Sequence, residues 1–177
     1  MVSHDLTKFS RLLLRRHGYV LEQLTSPLVV RTSPVHAQML PGVFSKHDYH
    51  RYRGFYRSEG REFDRSEPRS LKKLLYCFRV LMTGIVLLLE AKVEANALAL
   101  NERFRRPFIE ELERLKAGAE LGTLRDDPTY TAELDRLEAE LDRPFEETTL
   151  PEAPPARDEL ERLIVTVRRA GAGAVVC

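Results

Sequence analysis

Cysteine, closely spaced metal ligands and glycine-rich turns are all scarce in this 177-residue chain, and each scarcity removes a class of chemistry. Its two cysteines, Cys77 and Cys177, make neither a disulfide framework nor a metal set, and a reducing cytoplasm is the compartment this usage fits. There is no Gly-x-x-x-x-Gly-Lys loop, no Gly-x-Gly-x-x-Gly and no Gly-x-Ser-x-Gly. His47 and His50 stand three apart beside Asp48, but no third well-spaced ligand accompanies them, so no metal site is assigned. No basic, apolar and small-residue signal segment opens the chain. The one long apolar run, Leu74 to Leu89, is short for a membrane span and carries Arg79 inside it, which argues against a membrane partner. No catalytic residue emerges from the composition or the spacing.

What remains is helical and charged. Residues 68–90 read as one long helix, apolar over most of its circumference. Arg69, Lys72, Tyr76, Arg79 and Thr83 fall within about 80° of one another and form its narrow polar stripe. A cation at the midpoint of so apolar a helix calls for a partner, a wet cleft or an anionic ligand, so Arg79 is either a satisfied structural arginine or a binding residue.

The net charge of +1 conceals a polarity along the chain. Residues 1–80 hold 15 Lys/Arg against 7 Asp/Glu, a balance of +8, and residues 81–177 hold 13 against 20, a balance of −7. Two readings follow: the basic half faces a polyanion, or the two halves attract each other.

Helix signals punctuate the rest. Ser3 is the expected cap of a first helix running to His17 and stopped by Gly18, and Tyr19 to Leu24 reads as a second, short one. LVVRTSP suggests a brief extended segment, and Ser33-Pro34 opens another short helix. Ser45 is the expected cap of a helix reaching about Phe63. Further helices are expected over 96–104, 107–116, 129–141 and 156–169, with a proline-rich connector over 148–155. The fold expectation is mainly α: an irregular helical bundle with at most one or two short strands, a single domain over 1–170 and a flexible tail over 171–177.

The helix after Ser45 carries two adjacent faces. Tyr49, Tyr52, Tyr56 and Phe63 lie within about 60°, and Lys46, His50, Arg53, Arg57 and Arg61 occupy a neighbouring strip about 80° wide. Such a row suits a phosphate backbone, with the rings packing inward or stacking on bases. The alternative is an ordinary solvated face beside a tyrosine core.

The order of several segments is more specific than either stripe: SHDLTKFSRLLLRRHGYVLEQLTSP, VVRTSP, FSKHDYHRYRGFYRSEG, LKKLLYCFRVLMTGIVLLLEAKVEANALALNERF and LPEAPPARDELERLI. From about Val2 to about Leu163 the chain resembles the C-terminal two-thirds of nucleotidyltransferases of the DNA polymerase beta superfamily, in the group named for an RNA repair pathway. The resemblance implies transfer of a nucleoside monophosphate from an NTP, with Mg2+ held by paired carboxylates. It also implies a Gly-Ser turn and an Asp-x-Asp pair on a small mixed sheet, with a third carboxylate on a neighbouring strand.

Neither Gly-Ser nor Asp-x-Asp occurs here, and only seven residues precede Lys8 in the segment KFSRLLL. Asp5 is the sole acidic residue nearby and reads as the opening of the first helix. The expectation is a helical, substrate-facing portion, inactive alone and lacking the N-terminal mixed sheet, so Mg2+ and NTP belong to the complete family enzyme. A fragment, an alternative-start product or a second chain carrying the metal site would each account for this. By resemblance Lys8 and Arg79 border the triphosphate or the acceptor. With Lys46, His50, Arg53, Arg57, Arg61 and Lys72 they form the candidate nucleotide or nucleic-acid contacts. Alternative readings are a non-catalytic nucleic-acid-binding module or an oligomerising domain with apolar surface exposed around Phe9 and Leu13.

Overall fold

The computed structural model describes residues 4–15, 17–29, 42–118, 128–169 and 175–176. It is mainly α-helical, as expected. The chain divides into two compact units, one of residues 1–48 with 149–177 and one of residues 49–148.

In the first unit, α1 (Leu6–Leu14) is preceded by β1 (His4–Asp5), which pairs antiparallel with β2 (Val175–Val176) in the register His4 to Val176 and Asp5 to Val175. Asp5, rather than Ser3, caps α1: its Oδ1 accepts the Lys8 backbone N–H at 2.9 Å. That bond holds the Asp5 carboxyl below its ordinary range. α1 ends earlier than expected and Gly18 opens α2 (Gly18–Leu24) instead of stopping its predecessor. α1 packs against α2 and against α9 (Arg157–Arg169). Phe9 and Leu13 are buried, with Val20, Leu21, Leu24 and Leu160 also in the interior of the chain. The apolar surface expected around Phe9 and Leu13 is therefore not exposed. The expected extended segment and the Ser33-Pro34 helix fall mostly or wholly in 30–41, outside the described residues, as do 171–174 and 177 of the tail.

Two backbone bonds tie the proline-rich connector down. The Lys46 N–H donates to the Pro151 carbonyl at 2.8 Å, and the Ala156 N–H donates to the Gly42 carbonyl at 3.1 Å. Gly42 has φ +70°, and an added Cβ would lie 3.2 Å from the Ala156 nitrogen, so glycine serves both the turn and the close approach.

The second unit is built on α4 (Leu71–Glu90), opened by Ser70, whose hydroxyl accepts the Lys73 N–H at 3.4 Å. Leu74, Phe78, Leu81, Met82 and Leu87 are fully buried. Around α4 pack α5 (Ala97–Phe104), α6 (Pro107–Gly118), α7 (Pro128–Glu140) and α8 (Asp142–Glu147). The boundaries of α5, α6 and α7 lie within two residues of those the spacing predicts. α8 was not expected; its Asp-Arg-Pro start continues from Leu141 after α7 ends.

α3 (Asp48–Arg65) begins three residues after Ser45. The Asp48 carboxylate accepts the Ser45 backbone N–H at 2.9 Å, the reciprocal half of a capping box, while the Ser45 hydroxyl is buried with no hydrogen-bond partner among the described residues. α3 crosses α4 where the latter has no side chain. A Cβ on Gly84 would lie 2.8 Å from Tyr52 Cβ and 3.3 Å from Leu141 Cδ1. Tyr52 Cβ is fixed to its backbone and cannot swing aside. Gly84→Ala is expected to lower stability by about 1–3 kcal/mol through this overlap, read as a reduced thermal midpoint.

Burial pushes the Cys77 thiol up to about 12 and raises the Tyr56 phenol well above its ordinary value. Both groups hold their protons in the native state at pH values where the unfolded chain releases them. Stability should therefore fall as pH rises from about 9 towards about 12, the unfolded state binding fewer protons over that window. Denaturation midpoints across about pH 8 to 11 check this, and Cys77→Ala should make the decline shallower.

Candidate functional site

The expected basic row separates into residues with different fates. Lys46 precedes α3 in a turn, half-buried, 3.7 Å from Glu152. His50 is exposed, its ring edge-on to Tyr49 and to Phe145 at centroid distances of 5.0 and 5.6 Å. Arg53 and Arg57 are tied to acidic side chains of α7 and α8. Arg53 Nε lies 2.9 Å from Glu138 Oε1, Arg57 Nε 2.7 Å from the same oxygen, and Arg53 Nη1 2.9 Å from Asp142 Oδ1. The Tyr49 hydroxyl accepts from Arg53 and donates to Asp142.

This network has local causes. Arg53 and Arg57 are one helical turn apart, as are Glu138 and Asp142 in the sequence, so two cations meet two carboxylates. The bond to Glu138 raises the Arg53 guanidinium above its ordinary value, and burial does the same for the Tyr49 phenol. Tyr49, Tyr52, Tyr56 and Phe63 are all buried, so the tyrosine strip is core and offers no face to a base. Arg61 remains exposed at the end of the row, with no charged partner among the described residues.

The polar stripe of α4 has a different character. Lys72 is exposed and makes no ion pair among the described residues, whereas Lys73 reaches Glu62 at 2.9 Å. Arg79 is half-buried with its guanidinium carbon 4.6 Å from the Tyr76 ring centroid. Tyr76 in turn lies 6.1 Å from the Phe55 ring on α3, tilted by 53°. Arg69 sits over Phe63 at 5.2 Å, and Thr83 is buried, donating to the Glu94 carbonyl at 2.7 Å. In the other unit, Lys8 is exposed on α1. Sequence reasoning missed Phe55, which lies about 60° off the tyrosine strip and carries no charge to mark it. It also missed Glu138 and Asp142 as partners, because ion pairs formed 81 to 89 residues apart leave no local signal.

Among the described residues no group of three His, Cys, Asp or Glu side chains could hold a metal ion, and Asp5 is engaged as a helix cap.

The model of the RNA repair pathway DNA polymerase beta family matches residues 1–166. The chain belongs to that family. No curated protein and no solved structure matches it. The helices that carry both stripes thus lie within the matched span of this polymerase beta relative. No helix among the described residues is long and apolar enough to cross a membrane.

The two ends of the row should respond differently to truncation. Arg53→Ala is expected to cost about 1–2 kcal/mol, because Glu138 and Asp142 lose a partly buried partner. Arg61→Ala should stay within about 0.5 kcal/mol. Chemical denaturation of the two variants measures the contrast.

Proposed function

We propose that this chain is the helical, substrate-facing portion of a nucleotidyltransferase that transfers a nucleoside monophosphate from an NTP to an acceptor, with RNA as the acceptor or a bound ligand. The family match over residues 1–166 carries this reading. In it, Mg2+ and NTP serve the complete enzyme, Mg2+ supplying charge neutralisation at the phosphates. The carboxylates that hold it come from another segment or another chain, since neither Asp-x-Asp nor Gly-Ser occurs in these 177 residues.

What these residues contribute is attraction and positioning. In this reading His50, Arg61, Lys72 and Arg79 in one unit, and Lys8 in the other, each contribute attraction for an anionic ligand. Arg53, Arg57 and Lys46 act at one remove, spending their charge on Glu138, Asp142 and Glu152. A non-catalytic nucleic-acid-binding role is the second reading, favoured by the same missing carboxylate motif.

Incubating the chain with Mg2+, each labelled NTP and an RNA acceptor is expected to give no nucleotide transfer. Turnover that persists in Asp5→Asn would overturn the supplied-elsewhere argument. RNA binding without transfer, even when a catalytic segment of the family is added, would favour the second reading.

A further inference from the structure

The basic row of α3 and that of α1 have different fates in the folded chain. On α3, Arg53 and Arg57 are spent on Glu138 and Asp142. On α1 the cations are Lys8, Arg11 and, at the C-cap, Arg15. They fall within about 60° of one another around the helix, roughly opposite the buried Phe9, Ser10 and Leu13. All three are exposed, and none makes an ion pair with a described residue.

The helices packed against α1 do not neutralise this row. α1 lies against α2 and α9, which carry Glu22 and Asp158, Glu159 and Glu161. None of these pairs with the row, and Glu161 is 3.6 Å from Arg157 of its own helix. Asp5 is the carboxylate that acts on Lys8 and Arg11, and it is held at the helix start by the Lys8 backbone N–H. Positive charge therefore prevails along an edge about 10 Å long.

The chemistry of the row narrows its partner. The apolar side of α1 is already buried, so nothing remains on it to insert into a bilayer, which argues against a lipid surface. Its one aromatic residue, Phe9, is buried as well, so no ring of α1 can stack on a base. What is left is positive charge repeated at roughly 5 Å, which suits a linear polyanion met through its phosphates and not its bases.

We propose that Lys8, Arg11 and Arg15 form a sequence-independent contact for the phosphate backbone of RNA. The assignment rests on the RNA reading above. It adds two arginines which that reading does not use, and the part of the strand they meet.

The test is fluorescence anisotropy of labelled oligouridine and oligoadenosine of equal length, with the full chain, over a salt series. The two sequences should bind within about threefold of each other. Lys8→Gln, Arg11→Gln and Arg15→Gln should each reduce the salt slope by about 0.7, and the triple variant by about 2, with binding about tenfold weaker at low salt. Arg11→Lys combined with Arg15→Lys should keep the slope, because a phosphate needs a positive charge here and not a guanidinium fork. Asp5→Asn removes the negative charge while keeping a capping side chain, and should tighten binding. The row is exposed and unpaired, so the Gln variants should keep nearly the thermal midpoint of the unaltered chain.

RNA binding whose slope is untouched by the triple variant would overturn this surface while leaving the RNA reading standing. An equal loss of slope in Arg114→Gln, an exposed cation on α6, would overturn it too, because the attraction would then be diffuse. A strong preference for one sequence would overturn the backbone contact. Displacement of the RNA by inorganic triphosphate, at a concentration too low to change the ionic strength, would assign the row to a nucleotide instead. No binding of either RNA at low salt would overturn both the surface and the RNA reading.

Discussion

The close crossing of α3 over α4 at Gly84 is the constraint on which the packing of these two helices depends. With hydrogen in place of a side chain, α4 lets Tyr52 approach until its Cβ nearly meets the helix backbone. That contact turns the tyrosine strip of α3 inward and fixes the rotation of both helices. The rotation then determines which charges face α7 and α8 and which face outward. Dispersion and apolar burial along α4 supply the driving force, since its interior residues are almost all fully enclosed.

Electrostatics follows from that geometry. The basic N-terminal half and the acidic C-terminal half meet in ion pairs, Arg53 and Arg57 with Glu138 and Asp142 in one unit and Lys46 with Glu152 in the other. Mutual attraction between the halves is thus part of the explanation for the charge polarity. It is not the whole of it, because Arg61 and Lys72 carry charge outward with no partner among the described residues. A charge row read on one helix is a poor guide to a binding surface until the helices that pack beside it are known.

The elements themselves were largely legible. The apolar pattern of residues 68–90 and the spacing of Leu134, Leu137 and Leu141 marked helices that the structure contains, because periodicity is a local property of the chain. Ser3 and Ser45 misled for a local reason as well. Both are good cap residues, yet Asp5 supplies the charged acceptor for the first turn of α1. At Ser45 the bond formed is the one from its own backbone N–H to the Asp48 carboxylate, its hydroxyl taking no partner among the described residues. α8 escaped notice because six residues beginning Asp-Arg-Pro give too short a period to register.

Sequence by itself determined the helical class, the apolar character of α4 and the family, since these depend on residue types and their order along one strand of chain. It also established that no Asp-x-Asp pair is present. Tertiary structure decided which cations are spent and which remain: Glu138 lies 81 residues from Arg57, and only folding brings its carboxylate within 2.7 Å. The same packing set Phe55 beside Tyr76 and Arg79, a juxtaposition of two helices that no spacing within either could announce.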